Sequence, residues 1–221
     1  MFKKDITSGA KSKVKSSVQR TIRQKVLDTY PLLEPYIEDI LPKKEQLDLV
    51  KLCVSLHAHF SFPGLLHSCD TSFTARALLI KMLRPDRVSL YTLQSTPLFF
   101  QHMDDAILPH LTIVHRYPNC FPRLRIDRGA IRFVLSGATL MAPGLTSPGG
   151  RLPGDPNDTE GRYGKEELEA GTPVVIEAEG KETACMVGVL KVGTAEMKKT
   201  KKGQACEAGH YLGDGLWTLS L

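Results

Sequence analysis

The chain has 221 residues, enough for one large domain or two small ones, and its 42% hydrophobic and 24% charged residues exclude a disordered chain and allow a real core. No apolar run reaches the roughly 18 residues of a bilayer span, and no apolar stretch follows the basic N-terminus as in a secretory signal. Five cysteines without a CxxC pair fit neither a disulfide framework nor a zinc ribbon, so a soluble, cytoplasmic chain with reduced thiols and no membrane association is expected.

The net charge of +5 is unevenly placed. Eight basic residues and one acid, Asp5, lie between Lys3 and Lys25, and Lys198, Lys199, Lys201 and Lys202 form a second cluster. Such clustering suits a polyanion, RNA in the cytosol, although a solvated helix face would look the same.

The first element is an amphipathic helix. Val14, Val18 and Ile22 recur every four residues, Val26 and Leu27 continue the stripe, and Lys13, Lys15, Arg20 and Arg23 fall mostly off it. Pro31 ends this helix, and Leu32 to Leu41 mark a second one stopped by Pro42. Gln46 to Leu52 alternates as a strand with Leu47 and Leu49 on one face, and Arg87–Leu93 and Leu98–Gln101 read as two more. Leu111 to His115 is a helix or a strand. Arg123 to Asp127 is a strand leading into a helix, with Asp127 as N-cap, Ile131, Val134 and Leu135 as apolar face and Gly137 as stop. Val174–Ala178 and Ala184–Val192 are strands, Thr194–Lys199 a short helix capped by Thr194, and His210–Leu212 and Leu216–Leu219 close the chain as strands. The split between a mixed first half and a strand-rich second half falls near Pro118 to Pro122.

No Ser/His/Asp order, Gly-x-Ser-x-Gly, Walker loop or HExxH occurs, so nothing argues for an enzyme. His57-x-His59 with His67-x-Cys69 has ligand chemistry, but its spacing matches no common zinc module, and neither metal nor cofactor is expected. Leu124-Arg-Ile-Asp127 is a weak match to the Arg-Leu-Asp core of pseudouridine synthases, and a helix cap explains Asp127 without chemistry. The strongest local signal runs from Asp127 to Gly150. A helix with Arg128 and Arg132 feeds a loop of small residues, then Pro143-Gly144-Leu145. Small residues let a backbone approach a sugar-phosphate chain, arginines hold phosphates, and Met141 and Leu145 can support an unstacked base. A compact turn whose glycines serve geometry alone is the bland alternative.

This stretch resembles the signature of a PUA domain (pseudouridine synthase and archaeosine transglycosylase), and in particular the malignant T-cell-amplified sequence family. Met1-Phe-Lys-Lys4, Pro42-Lys-Lys44, Leu98-Phe-Phe100, Val114-His-Arg-Tyr-Pro118 and His210-Tyr-Leu-Gly-Asp-Gly-Leu-Trp217 match in the same order. The resemblance implies an α+β chain: an N-terminal α/β domain over residues 1–121 for ribosome and partner binding, then a PUA-type β-barrel with short helices over 122–221. It implies a non-enzymatic translation factor on the small ribosomal subunit, paired as a heterodimer with a density-regulated protein homologue. Its roles would be removal of deacylated tRNA, ribosome recycling and reinitiation. A PUA-containing accessory subunit of an RNA-modifying enzyme is the alternative. The tRNA acceptor end would meet Arg128, Arg132, Gly137, Met141, Pro143, Gly144 and Leu145, and ribosomal RNA would meet Lys13, Lys15, Arg20 and Arg23.

Two stretches depart from the family. The loop from Gly150 to Thr172 is longer and more polar, which suits an exposed excursion. Residues 54–81 interrupt a connection that is nearly direct in the family. Val54-Ser55 can be encoded by a splice-donor sequence and Lys81 can end in the acceptor AG, while 28 residues correspond to an in-frame 84-nucleotide intron. A retained intron in the gene structure and a genuine surface loop or disordered insert are the two readings.

Overall fold

The computed structural model describes residues 2, 6–54 and 86–221. The His/Cys constellation at 57–69 and most of the suspected insert therefore lie outside the described residues.

Among the described residues two five-stranded sheets, one from each half, carry the fold. The first is an antiparallel meander: β1 (Ile6–Lys13), β2 (Asp48–Val54), β3 (Asp86–Leu93), β4 (Thr96–His102) and β5 (Leu108–Pro109) in chain order. Between β1 and β2 stand helix α1 (Ser16–Thr29), a 3-10 helix over Pro31–Tyr36 and the single turn α2 (Ile37–Ile40). The expected second α-helix is thus mostly 3-10. Pro35 sits inside it and lacks the N–H an α-turn would use. In α1 the stripe narrows: Ile22 and Val26 are buried, Val14 is buried just ahead of the helix, and Val18 is 48% exposed.

Strand β2 faces the core through Val50 and Leu52, the parity opposite to the expected Leu47–Leu49 face. Leu47 is buried too, but it precedes the strand, and a one-residue offset moves every side chain to the other face. Strands β2 and β3 are antiparallel neighbours in unbroken register from Asp48 opposite Thr92 to Val54 opposite Asp86. Strand β1 was not foreseen. Its run of Ser, Gly, Ala and Lys has little β-propensity, and it sits at a sheet edge where lysines suit exposure.

After helix α3 (Leu111–Arg116), the second sheet is built from β6 (Arg123–Ile126), β7 (Leu140–Met141), β8 (Pro173–Ala178), β9 (Ala184–Leu190) and β10 (Gln204–Tyr211), in the order β6-β8-β9-β10-β7. Only β6 and β8 run parallel. This sheet is open, not the closed barrel that was expected. The free edge of β6 is met by a bridge from Arg125 to Arg151, and the N–H of Asp127 just beyond it donates to the Gly144 carbonyl at 2.9 Å. Helices α4 (Ile131–Leu135), α5 (Pro143–Thr146) and α6 (Thr194–Thr200) complete this half. Residues 216–219 are a turn rather than a strand, and β10 begins earlier than expected, at Gln204.

Every residue of β8 is buried, so it shows no alternation. Val174, Ile176 and Ala178 enter the core of the second half, while Val175 joins the core of the first. Strand β9 divides the same way, with Met186 on one side and Val187 on the other. The second sheet is therefore covered on both faces, and the two halves share apolar packing. Phe2 fastens the seam: its ring meets Phe100 edge-on at 5.3 Å, and its carbonyl accepts the Gly215 N–H at 2.8 Å.

Candidate RNA interface

The candidate segment is a strand-turn-helix-loop unit that runs from β6 to β7, the two edge strands of the second sheet. Asp127 organises it. Its Oδ1 accepts the Ala130 N–H at 2.7 Å and its Oδ2 accepts the Ser147 hydroxyl at 2.7 Å. One carboxylate thus ties the turn before α4 to the loop after α5. Asp127 caps that turn rather than the helix, whose N-cap is Ala130. These bonds leave Asp127 a structural role and also engage the Ser147 hydroxyl. Thr194 likewise begins α6 instead of capping it. Gly193 is the cap, and the Thr194 hydroxyl accepts the Leu168 N–H at 2.9 Å and donates to Glu167.

Gly137 ends α4 with φ +76°, and a Cβ there would stand 2.6 Å from the Tyr211 hydroxyl. Only glycine meets both demands. The chain turns back through an Ala138 N–H bond to the Phe133 carbonyl at 3.0 Å and enters β7, which pairs with β10. Met141 lies opposite Gln204, and the Ala142 N–H donates to the Gly203 carbonyl at 2.9 Å. This pairing brings Lys201 and Lys202 from 60 residues away to the edge beside Met141. The sequence marks these lysines as a cluster, but only the β7–β10 pairing assigns them to this site. Lys201, with φ +52°, terminates α6 and is exposed, as is Lys202. Lys198 is spent locally, on the Pro153 carbonyl and on Glu167 at 2.5 Å. A cavity of about 350 Å³ opens between the Leu145–Gly150 loop and Lys198 and Lys201.

Of the seven expected contact residues, Arg128, Arg132, Met141 and Pro143 are exposed and Gly137 and Gly144 half-buried. Among the described residues neither Arg128 nor Arg132 makes an ion pair through its guanidinium. Leu145 is a correction: it is 1% exposed and belongs to the core, so it anchors the loop from beneath and has no face for a base. Leu135 is another, because it is 42% exposed and not part of a buried helix face. Phe133 was missed. It is 54% exposed, and the Arg132 guanidinium carbon stands 4.8 Å from its ring centroid.

The N-terminal candidates divide. Lys13, Lys15 and Arg20 are exposed. Arg23 is tied down by the Leu41 carbonyl at 2.5 Å and the Glu38 carboxylate at 2.5 Å, which makes it a brace between α1 and α2 rather than a free cation. That bond to Arg23, with one to Lys43, holds the Glu38 carboxyl below the usual carboxylate range.

A larger cavity, about 1110 Å³, lies between the halves and contains Tyr30, Leu32, Pro118 and Arg123 in its wall. Its two arginines share one carboxylate. Buried Arg123 reaches Glu177 at 3.2 Å and Asn119, and Arg162 reaches Glu177 at 3.0 Å. No cation of that network is left for a phosphate. Among the described residues no group of three or more His, Cys, Asp or Glu could hold a metal ion. No described helix is long and apolar enough to cross a membrane.

These features define a chain with two joined modules: residues 2–118 match the Pre-PUA-like domain and residues 122–212 the PUA domain. The chain is 40% identical to translation machinery-associated protein 20 of Saccharomyces cerevisiae over 225 aligned positions, covering 100% of this chain and 99% of that one. It is 39% identical to the Schizosaccharomyces pombe protein of the same name, over 92% of this chain and 88% of that one. It is 33% identical to malignant T-cell-amplified sequence 1 of Rattus norvegicus, over 92% of this chain and 87% of that one. The chain belongs to this family, translation machinery-associated protein 20 and malignant T-cell-amplified sequence 1. The fold is shared with a PUA domain from Aeropyrum pernix K1, at TM-score 0.58 and 20% identity over 96% of this chain and 90% of that one. A hypothetical protein from Pyrococcus horikoshii OT3 gives TM-score 0.61 and 16% identity over 96% of this chain and 100% of that one.

Proposed function

We propose that this chain is a non-enzymatic RNA-binding translation factor of the cytoplasm. It acts on the small ribosomal subunit as a heterodimer with a density-regulated protein homologue. There it meets the tRNA acceptor end in removal of deacylated tRNA, ribosome recycling and reinitiation. Membership in a family whose members are named for the translation machinery supports the setting. The observation that carries the RNA reading is the meeting of two cationic groups that the sequence keeps apart. Arg128 and Arg132 are exposed on the segment that leads into exposed Met141 and Pro143, and Lys201 and Lys202 stand just ahead of Gln204, which pairs with Met141. Cations that make no ion pair among the described residues, beside a backbone of small residues, suit phosphate contact. Lys13, Lys15 and Arg20 are the candidates for ribosomal RNA. Arg23 is not, because its guanidinium is engaged.

The test is co-sedimentation of the full chain with purified small ribosomal subunits at two salt concentrations, with and without the partner. Wild-type binding should fall as salt rises. Arg128→Glu combined with Arg132→Glu should lose most binding, and the logarithmic salt slope should fall by about one for each phosphate contact removed. Undiminished binding by the double variant would reject this surface as the RNA contact.

A further inference from the structure

Three serine or threonine residues of the chain stand directly before a proline: Thr96, Ser147 and Thr172. The fold separates them. The Ser147 hydroxyl is spent on Asp127 at 2.7 Å. Thr172 is half-buried, with its N–H donating to the Glu169 carbonyl and its own carbonyl accepting the Leu190 N–H. Thr96 is exposed where β4 leaves the β3–β4 turn, and its hydroxyl has no partner among the described residues.

That hairpin is weakly tied at its tip. Gln94 and Ser95 have φ +49° and +68°, so both central residues of the turn are left-handed without being glycine. Side chains hold them in place: the Gln94 amide donates to Glu45 at 2.8 Å, and Lys11 donates to the Ser95 hydroxyl at 3.3 Å. Pro97 has no N–H for the ladder, and the β3–β4 register shifts between Tyr91 and Thr92, which stands opposite Pro97. A strained, poorly laddered tip opens locally at small cost, and a kinase needs its acceptor segment open and extended. A cation is already at hand. The Lys11 ammonium that touches Ser95 also lies 3.3 Å from the Asp48 carboxylate.

We propose that Thr96 is a phosphorylation site for a proline-directed protein kinase and that Lys11 is the cation that takes its phosphate. In the transfer the Thr96 Oγ1 attacks the γ-phosphorus of ATP, the bond from that phosphorus to the ADP oxygen breaks, and the hydroxyl proton passes to the base of the kinase. Thr96 then carries a charge of about −1.5 to −2, next to the residue whose hydroxyl Lys11 already reaches. The acids facing this corner are Asp48 and Glu45. Glu45 is turned to the Gln94 amide, and Asp48 offers Lys11 one charge where the phosphate offers nearly two. Lys11 therefore moves from Asp48 to the phosphate. Lys13 and Lys15 follow Lys11 in the chain, so the new charge opposes the ribosomal RNA contact, a consequence that rests on the RNA-binding reading above.

The site is tested by incubating the full chain with a recombinant proline-directed serine/threonine kinase and Mg-ATP, folded and after heat denaturation, and mapping the products by mass spectrometry. Thr96 should be the principal site in the folded chain, with Ser147 and Thr172 labelled only after denaturation. Thr96→Val should lose that label and keep the wild-type Tm. A Thr96 label confined to the denatured chain, or absent from both, would overturn the site. Phosphorus NMR of the modified chain reads the role of Lys11. The second ionisation of the phosphate, near pH 6, should have its midpoint roughly 0.2–0.7 pH unit lower in wild type than in Lys11→Gln. Equal midpoints would remove Lys11 as its partner. In co-sedimentation with small ribosomal subunits the phosphorylated chain should bind severalfold more weakly than the unmodified chain at low salt, and the difference should shrink as salt rises. Equal binding at low salt would reject the effect on RNA. If the unmodified chain fails to bind, the RNA-binding reading falls, while the mass and NMR measurements still decide Thr96 and Lys11.

Discussion

Gly137 carries two constraints that no other residue at the candidate site combines, a left-handed backbone and contact with the end of Tyr211. Gly137→Ala should destabilise the chain by about 1–3 kcal/mol, read as a lowered urea midpoint. Tyr211→Phe removes the atom that stands 2.6 Å from the new methyl group, so the double variant should lose less than the sum of the singles. Strict additivity would mean that backbone strain alone sets the cost. The glycine was legible in the sequence because its position after an apolar helix has one common meaning. Leu145 and Phe133 were not. An apolar residue in a glycine-rich loop reads equally as anchor or as platform, and a phenylalanine in a short amphipathic helix reads as core. The difference is whether β-sheet lies beneath the side chain, and that is set by the β6–β8 and β7–β10 pairings, 52 to 66 residues away.

Elements with one dominant signal were readable. Helix α1 has its stripe, and β8 and β9 have their β-branched and apolar runs. Strands that depend on a partner were not: β1 is polar, and β7 is two residues long and exists because β10 lies beside it. The β2–β3 pair gives the interruption at 54–81 a structural test. Cys53 lies opposite Arg87, so deletion of Val54–Lys81 leaves Met82 to Asp86 to close the hairpin, five residues. Hairpin loops of two to five residues are common, and loop-closure entropy changes by only about 0.6 kcal/mol per doubling of length. The shortened chain should keep one cooperative thermal transition with a Tm equal to or above that of the full chain. A clear fall in Tm would show that residues 54–81 contribute packing and belong to the fold. Transcript reads running from Cys53 directly to Met82 would support the intron reading, and abundant protein peptides from within 54–81 would sink it.

At the scale of the whole molecule, the seam between the halves is closed by a stack of rings, all buried except Trp217. His110 lies against His210 at 4.4 Å and parallel to Trp217 within 3° at 6.1 Å, with Phe2 and Phe100 packed edge-on to His210. His110 comes from the first half. Its Nδ1 accepts the Thr112 N–H at 3.3 Å, and its Nε2 faces the Leu216 carbonyl of the second half at 3.4 Å. His210 faces Asp214 at 2.9 Å, and Asp214 in turn accepts the N–H groups of Tyr211 and Trp217. Burial first, then the neighbouring His210 and His115, pull the His110 pKa down to about 3 against the Leu216 carbonyl, which favours the proton. The unfolded chain takes up a proton near pH 6.5 that the folded chain refuses until about pH 3. Stability from this residue is therefore complete above about pH 6.5 and declines as pH falls toward 3, with a slope of up to about 1.4 kcal/mol per pH unit. His110→Gln keeps a donor for Leu216 and removes the titration. It should be less stable than wild type at pH 7 yet lose less between pH 6.5 and 4. Trp217 is the only tryptophan, and it sits at the seam, so its fluorescence reports whether the halves part there. Because β8 and β9 belong to both cores, its transition should coincide with the loss of far-ultraviolet dichroism at each pH. Parallel declines in wild type and His110→Gln would remove His110 as the source of acid sensitivity. A Trp217 transition that precedes the dichroism change would mean that the seam opens before either half unfolds.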